Sequence, residues 1–219
     1  MLEKEYIRVN RKAYNEFAIQ HLERHNNISK YELSDEEWEI LLKEKLLKPN
    51  IVNKVLEIGP GSGRILKLLE DSLGCRTVAV DLAEEMIKYA KVKSPNTIFI
   101  EDDILNVKFD KDTYDAIVMG ALIHTFPKED VKKLLELVYG WIKEDGRILI
   151  YTTIHEKGDE GYFEKDDYSG NIIRYRKKFT EKELEELVEE FNFKIVYRGY
   201  SSEIDRNKKW ITYIIKKKL

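Results

Sequence analysis

The run Val55-Leu56-Glu57-Ile58-Gly59-Pro60-Gly61-Ser62-Gly63-Arg64 decides the reading of this chain. It is an apolar strand that passes through an acid into three alternating glycines. Gly59, Gly61 and Gly63 let the backbone turn sharply and approach a ligand with no Cβ in the way. A dinucleotide loop would read G-x-G-x-x-G and set a pyrophosphate on the following helix N-terminus. In that register the third glycine falls at Arg64. Glu57 also places a carboxylate two residues before the turn, where it would repel a diphosphate at close range. The loop suits a ligand that carries positive charge, and a nicotinamide oxidoreductase is disfavoured.

Outward from the loop, short apolar runs alternate with helical patterns. Strands are expected at 55–58, 77–80, 97–100, 116–119, 148–151, 194–197 and 211–215, with helices at 64–73, 83–91, 129–139 and 181–190. This alternation implies parallel strands covered on both faces. The connection 101–114 barely leaves room for a helix, and the polar stretch 198–210 suits an antiparallel hairpin. Residues 1–50 read as a helical cap ahead of a core at 51–219. In the cap, Tyr14, Phe17, Ala18, His21 and Leu22 recur at helical spacing, with His21 and His25 read as surface or lid residues. A capping box at Ser34 and Glu37 then precedes the stripe Trp38, Leu41, Leu42 and Leu46, which Pro49 ends.

Composition narrows the function classes. A length of 219 residues allows one complete domain of ordinary size. The 38 basic against 41 acidic residues argue against a protein built to coat nucleic acid, which shows a basic excess. One cysteine excludes a disulfide framework and a thiolate metal site, and no metal is expected. No secretory pattern opens the sequence and no apolar run approaches the ~20 residues that span a bilayer. The expectation is a cytoplasmic protein, monomer or homodimer, without a membrane partner.

In an open α/β sheet, ligands sit beyond the carboxyl ends of the strands. Glu57 and the glycines follow the first strand. Asp81 follows the second, where a carboxylate can accept from both hydroxyls of a ribose. Asp102, Asp103 and Ile104 follow the third. This constellation resembles the class I S-adenosylmethionine-dependent methyltransferases, whose cofactor carries a sulfonium and an ammonium. The likeness covers roughly residues 50 to 219. It extends through Asp103-Ile-Leu-Asn-Val-Lys-Phe109, Tyr114-Asp115-Ala-Ile-Val-Met-Gly-Ala-Leu-Ile-His124 and the turn Trp141-Ile-Lys-Glu-Asp-Gly-Arg147.

The resemblance implies a Rossmann-like three-layer α/β/α fold: a seven-stranded, mostly parallel sheet with one antiparallel edge strand. It implies S-adenosyl-L-methionine as cofactor and S-adenosyl-L-homocysteine as product. Asp81, with Leu82 beside it, would take the ribose. Asp103 rather than Asp102 would take the adenine amino group, with Ile104 meeting the ring. Met119 and Gly120 would lie beside the methionine moiety. Tyr14, in Tyr14-Asn-Glu-Phe-Ala18, would touch the cofactor carboxylate.

On the acceptor side, His124 and His155 are the candidate bases. The long charged and aromatic insert at about 155–178 leaves the fifth strand on the active-site rim and is read as a substrate cover. Tyr168, Arg174, Tyr175 and Arg176 are its candidate contacts, since Arg holds a carboxylate or phosphate bidentately. A solvated β-hairpin with no ligand role is the competing reading. The expected function is methyl transfer to an O or N atom of a small molecule. Two alternatives stand beside it: a methylase of RNA or peptide, and a non-catalytic S-adenosylmethionine-binding protein. In the RNA reading, 174–178 and Lys208-Lys209-Trp210 would track a backbone and stack bases.

Overall fold

The computed structural model describes residues 3–26, 33–165, 169–203 and 208–218, with side chains only as far as residue 23 in the first of these. Strand β1 (Lys54–Ile58) buries its last four residues, as a strand covered on both faces must. It lies between β2 (Arg76–Asp81) and β4 (Tyr114–Gly120), parallel to both, with Leu56 opposite Val78 and Ile117. With β3 (Ile98–Glu101), β5 (Ile142–Ile154), β8 (Phe193–Glu203) and β9 (Lys208–Lys217), these strands form a seven-stranded sheet ordered β3-β2-β1-β4-β5-β9-β8. Only β9 is reversed against its neighbours, and it sits one place in from the edge, with β8 outside it. No helix joins β3 to β4. There Phe109 packs edge-on against Tyr114 and Trp141, at 5.2 and 5.1 Å between ring centroids.

Helices cover both faces. Helix α3 (Asp35–Leu41) starts at the reciprocal Ser34–Glu37 capping box and widens into a π turn over Leu42–Leu46. It buries Trp38, Leu42 and Leu46 with Leu69, Val55 and Val118, so this stretch covers one face of the sheet. Helix α4 (Arg64–Lys67) and α5 (Glu84–Lys93) meet through Leu66 and Ala90 on the same side. The opposite face carries α6 (Lys128–Trp141) and α7 (Glu181–Glu190), whose Leu134 and Leu187 pack with Ile117, Ile148 and Tyr213.

The helical run expected through Tyr14 and Leu22 is broken in two. Phe17 (φ −100°, ψ 11°) ends α1 (Glu5–Glu16), and α2 (Ala18–Asn26) follows at once. Polar side chains set the position of α1. Lys4 and Tyr6 reach the buried carboxylate of Asp130 at 2.6 and 2.8 Å. The Asn10 amide donates to Thr125 O at 2.9 Å, and its oxygen accepts from Tyr175 N at 2.8 Å. Asn15 Oδ1 accepts from Glu85 N at 3.1 Å, at the start of α5. Helix α1 is thereby held over the loops that follow β2 and β4.

Burial alone would raise the Asp130 carboxyl, but hydrogen bonds from Lys4, Tyr6 and Lys133 outweigh it and hold the pKa below the ordinary value. A depressed carboxyl adds stability above its unfolded pKa of about 4 and loses it as pH falls through the folded value. Asp130→Ala is therefore expected to cost about 2 kcal/mol near neutral pH, leaving the Tyr6 hydroxyl unpaired. Urea midpoints should show that deficit at pH 7 and a smaller one near pH 3.

Candidate active site

The chain turns at the end of β1, where Gly59 N donates to Val80 O at 2.8 Å. All three loop glycines have positive φ: 69°, 54° and 75° at Gly59, Gly61 and Gly63. At Gly63 the reason is packing, since a Cβ there would lie 2.9 Å from Ala90 Cα. Beneath the loop Glu57 is buried and accepts a backbone hydrogen bond from Leu66, yet its Oε2 has no hydrogen-bond partner among the described residues. Burial, and then the charge of Asp81, push its carboxyl up to about 8.

Two cavities open on either side of the loop. The first holds about 690 Å³ of space, between Asp81, Leu82, Asp103 and Ile104 on the sheet side and Tyr6 and Asn10 on α1. Asp81 accepts from Ala83 N at 2.9 Å and also from the backbones of Gly61 and Leu82. Burial raises its carboxyl to about 6 against those hydrogen bonds. Asp102 is exposed and caps Asp103 N, whereas Asp103 is buried, its Oδ1 accepting from Leu105 N at 3.0 Å. Burial raises the Asp103 carboxyl as well.

The second cavity holds about 1280 Å³. Tyr14, Gly59, Gly61 and Ala121 line both, so the two meet at the glycine turn. Ala121 has φ +54° there, a left-handed backbone that costs a non-glycine residue about 1–2 kcal/mol, and its N–H donates to Tyr151 O at 2.7 Å. The aromatic wall is a stack of Tyr151 on Trp210, 4.5 Å apart and 11° from parallel, with Trp38 edge-on to Tyr151 at 5.2 Å.

Strands β6 (Asp159–Glu164) and β7 (Ile173–Lys178) pair into a separate two-stranded sheet. Arg174 and Arg176 of β7 line the second cavity, and Arg176 donates to Thr153 Oγ1 at 2.8 Å. His124 lines it too. It is buried, with Nδ1 3.0 Å from Thr152 Oγ1. Burial, then the charges of Arg176, Arg174 and Lys208, hold its pKa well below 6.5, so its imidazole is neutral at physiological pH.

The structure gathers Tyr14, Glu57, Gly59, Gly61, Asp81, Leu82, Asp103, Ile104 and Gly120 along the two cavities. Four residues expected at the site lie off both cavities. Met119 is fully buried in the core, because strand alternation turns it away from the cavity that Val118 and Gly120 face. Gly63 lines neither cavity and serves the contact between α4 and α5. His155 also lines neither; its Nε2 lies 3.3 Å from Thr153 Oγ1 and its N–H donates to Phe179 O. Tyr168 lies outside the described residues. Tyr175 turns its ring onto Tyr6, centroids 5.5 Å apart, and not into a cavity.

Sequence reasoning missed Tyr6, Asn10, Trp38 and Lys165, and it gave Lys208 and Trp210 a role only in the RNA alternative. All six line a cavity. Among the described residues no group of three or more His, Cys, Asp or Glu side chains could hold a metal ion. No described helix is long and apolar enough to cross a membrane.

Residues 55–146 match a family of methyltransferase domains. The phosphoethanolamine N-methyltransferase of Plasmodium falciparum (isolate 3D7) is 28% identical over 152 residues, 66% of this chain and 54% of that protein. The ribosomal protein L11 methyltransferase of Staphylococcus carnosus (strain TM300) is 32% identical over 122 residues, 53% of this chain and 36% of that protein. The chain thus spans about half the length of these curated relatives, or less. Among solved structures, Burkholderia thailandensis 1,6-didemethyltoxoflavin-N1-methyltransferase was crystallised with 1,6-didemethyltoxoflavin and S-adenosylhomocysteine bound. It matches 100% of this chain and 93% of its own with a TM-score of 0.73; at 17% identity the likeness is one of fold. The matched residues take in the glycine loop and the strand-end acids, so residues 55–146 are similar to a methyltransferase domain at the site itself.

Proposed function

We propose that the chain transfers the methyl group of S-adenosylmethionine to a nitrogen or oxygen of a small-molecule acceptor. The observation that carries this reading is the junction of the two cavities at the glycine turn, with Glu57, Asp81 and Asp103 at three successive strand ends. The residues fit the cofactor: a buried carboxylate oxygen of Glu57 lacks a hydrogen-bond partner among the described residues, and Gly59 and Gly61 line both cavities without a side chain. Asp81 would accept from the ribose hydroxyls, Asp103 from the adenine amino group and Glu57 from the ammonium, with Tyr14 near the carboxylate. When bound, the cofactor supplies an electrophilic methyl: an acceptor lone pair bonds to it as the carbon–sulfur bond breaks and leaves its electron pair on sulfur.

The protein's part is to align and dehydrate the reacting groups. A neutral His124 is a weak base, suited to accepting or orienting a hydrogen bond rather than to ionising a hydroxyl. That favours an amine acceptor, whose proton passes to solvent. Two similar proteins named above are N-methyltransferases of small molecules, which supports the same reading. The ribosomal protein L11 methyltransferase raises the macromolecular alternative. Against it, Arg174, Arg176, Lys208 and Trp210 are half-buried along a cavity that reaches the glycine turn. In this reading residues 1–50 act as the lid and 155–178 as the acceptor-side wall.

Titration with S-adenosylhomocysteine tests the proposal: saturable binding is expected, and uptake of NADH or ATP in its place would overturn it. Glu57 gives a second readout. With its carboxyl at about 8, it is protonated at pH 7 in the free protein. An ammonium beside it lowers that pKa, so binding at pH 7 should release up to about one proton, and almost none at pH 9.5. Calorimetry in buffers of different ionisation enthalpy measures the release, and Glu57→Gln should abolish it.

A further inference from the structure

Basic side chains outnumber acidic ones in the lining of the second cavity. Lys165, Arg174, Arg176 and Lys208 line it, from the end of β6, from β7 and from the start of β9, and Glu203 faces them. Arg64, also in the lining, is tied to Asp35 at 2.6 Å, and Glu57 lies under the glycine turn. Arg174 and Arg176 are two apart on one strand, so both side chains project from the same face. Lys165 is 94% buried by the body of the protein, its ammonium 5.4 Å from the Phe17 ring centroid. Cations gathered around one low-dielectric space focus a positive potential there and favour an anion within it.

A second observation is independent of charge. Arg174 Nε and Trp210 Nε1 are buried donors without a hydrogen-bond partner among the described residues, and both residues line this cavity. Buried donors are nearly always paired, so two orphans in one wall mark the place of an absent acceptor atom. Around them the wall is apolar and aromatic: Val118, Leu149, Trp38 and the Tyr151–Trp210 stack.

We propose that the methyl acceptor is an organic anion, its carboxylate or phosphate held by Arg174 and Lys208 and its apolar or aromatic body lying along the Trp210–Tyr151 stack. This rests on the methyl-transfer reading above. Arg174 supplies the planar fork that both anions accept from, and Arg176 and Lys165 add field without needing direct contact.

The test is a tryptophan-fluorescence titration of the full chain saturated with S-adenosylhomocysteine, using benzoate, phenyl phosphate and the neutral isostere benzamide. One of the two anions is expected to bind at least about tenfold more tightly than benzamide, a charge-assisted contact being worth about that factor. The stronger of the two identifies the headgroup, and its binding should weaken with added salt. Arg174→Gln and Lys208→Gln should each reduce it about fivefold or more while S-adenosylhomocysteine affinity stays within about twofold. Equal binding of benzamide and both anions would sink the proposal, as would loss of S-adenosylhomocysteine affinity in parallel with anion affinity. The anion preference and its salt dependence are read on the unaltered protein, so the test holds even where a variant fails to fold. Failure of S-adenosylhomocysteine to bind removes the methyl-transfer reading and the proposal with it. Normal binding without anion preference removes the proposal alone.

Discussion

Asp81→Ala is expected to weaken S-adenosylhomocysteine binding by about 10- to 100-fold in a chain that stays folded. Hydrogen bonds to a charged acceptor contribute about 1.5–3 kcal/mol, and a ribose offers two hydroxyls to one carboxylate. The structural role of Asp81 is the smaller one. It accepts N–H groups at the entry to α5, and loss of such a cap costs about 1 kcal/mol of stability. Asp81→Asn separates the two, because its amide oxygen can still accept from Ala83 N while the charge is gone. The carboxyl titrates at about 6, so affinity in the unaltered protein should fall as pH drops through that value and the ionised acceptor is lost. In Asp81→Asn that dependence should become shallower, with the part due to Glu57 remaining. Unchanged affinity in a folded Asp81→Ala protein would refute the ribose role.

Gly63→Ala is expected to be the most damaging single-methyl change in the chain, costing about 3 kcal/mol. The new Cβ would stand 2.9 Å from Ala90 Cα and 3.2 Å from Ala90 O, which are backbone atoms of a packed helix. Overpacking of this kind costs about 1–3 kcal/mol, to which φ +75° adds about 1–2 kcal/mol. For a chain of this size that corresponds to a melting temperature lower by about 6–12 °C. Gly74→Ala is the control: φ is +61°, but nothing lies within 4 Å of its Cβ position, so only the backbone cost applies. Thermal melts that place the two variants together would show that contact with α5 is not what requires a glycine at 63.

The central strands and the acids at their ends were legible because each depends on a few adjacent residues. An apolar run ending in glycines, or in Asp81, carries its meaning within ten positions. Met119 was misplaced although period-two alternation already set it against Val118 and Gly120. His155 was misplaced for a different reason: β5 runs to Ile154, carrying the next residue past the cavity before the chain turns. Trp210 could not be placed locally. Its position follows from the register of β9 on β5, which sets it opposite Thr153 and its ring on Tyr151. Lys208 follows the same strand, so two residues that the RNA alternative assigned to a nucleic-acid contact line a cavity. The N-terminal contacts were equally invisible, since the partners of Lys4 and Asn10 lie 115 or more positions away.

Asn10 has a further consequence. One end of its amide grips the turn after β4, which borders the first cavity, and the other grips the strand that carries Arg174 and Arg176. A single planar group thus works as a strut between two ligand pockets. Natural or engineered drift at this position would retune both affinities together, so a change in acceptor preference achieved by moving β7 would be felt on the far side as a change in cofactor grip.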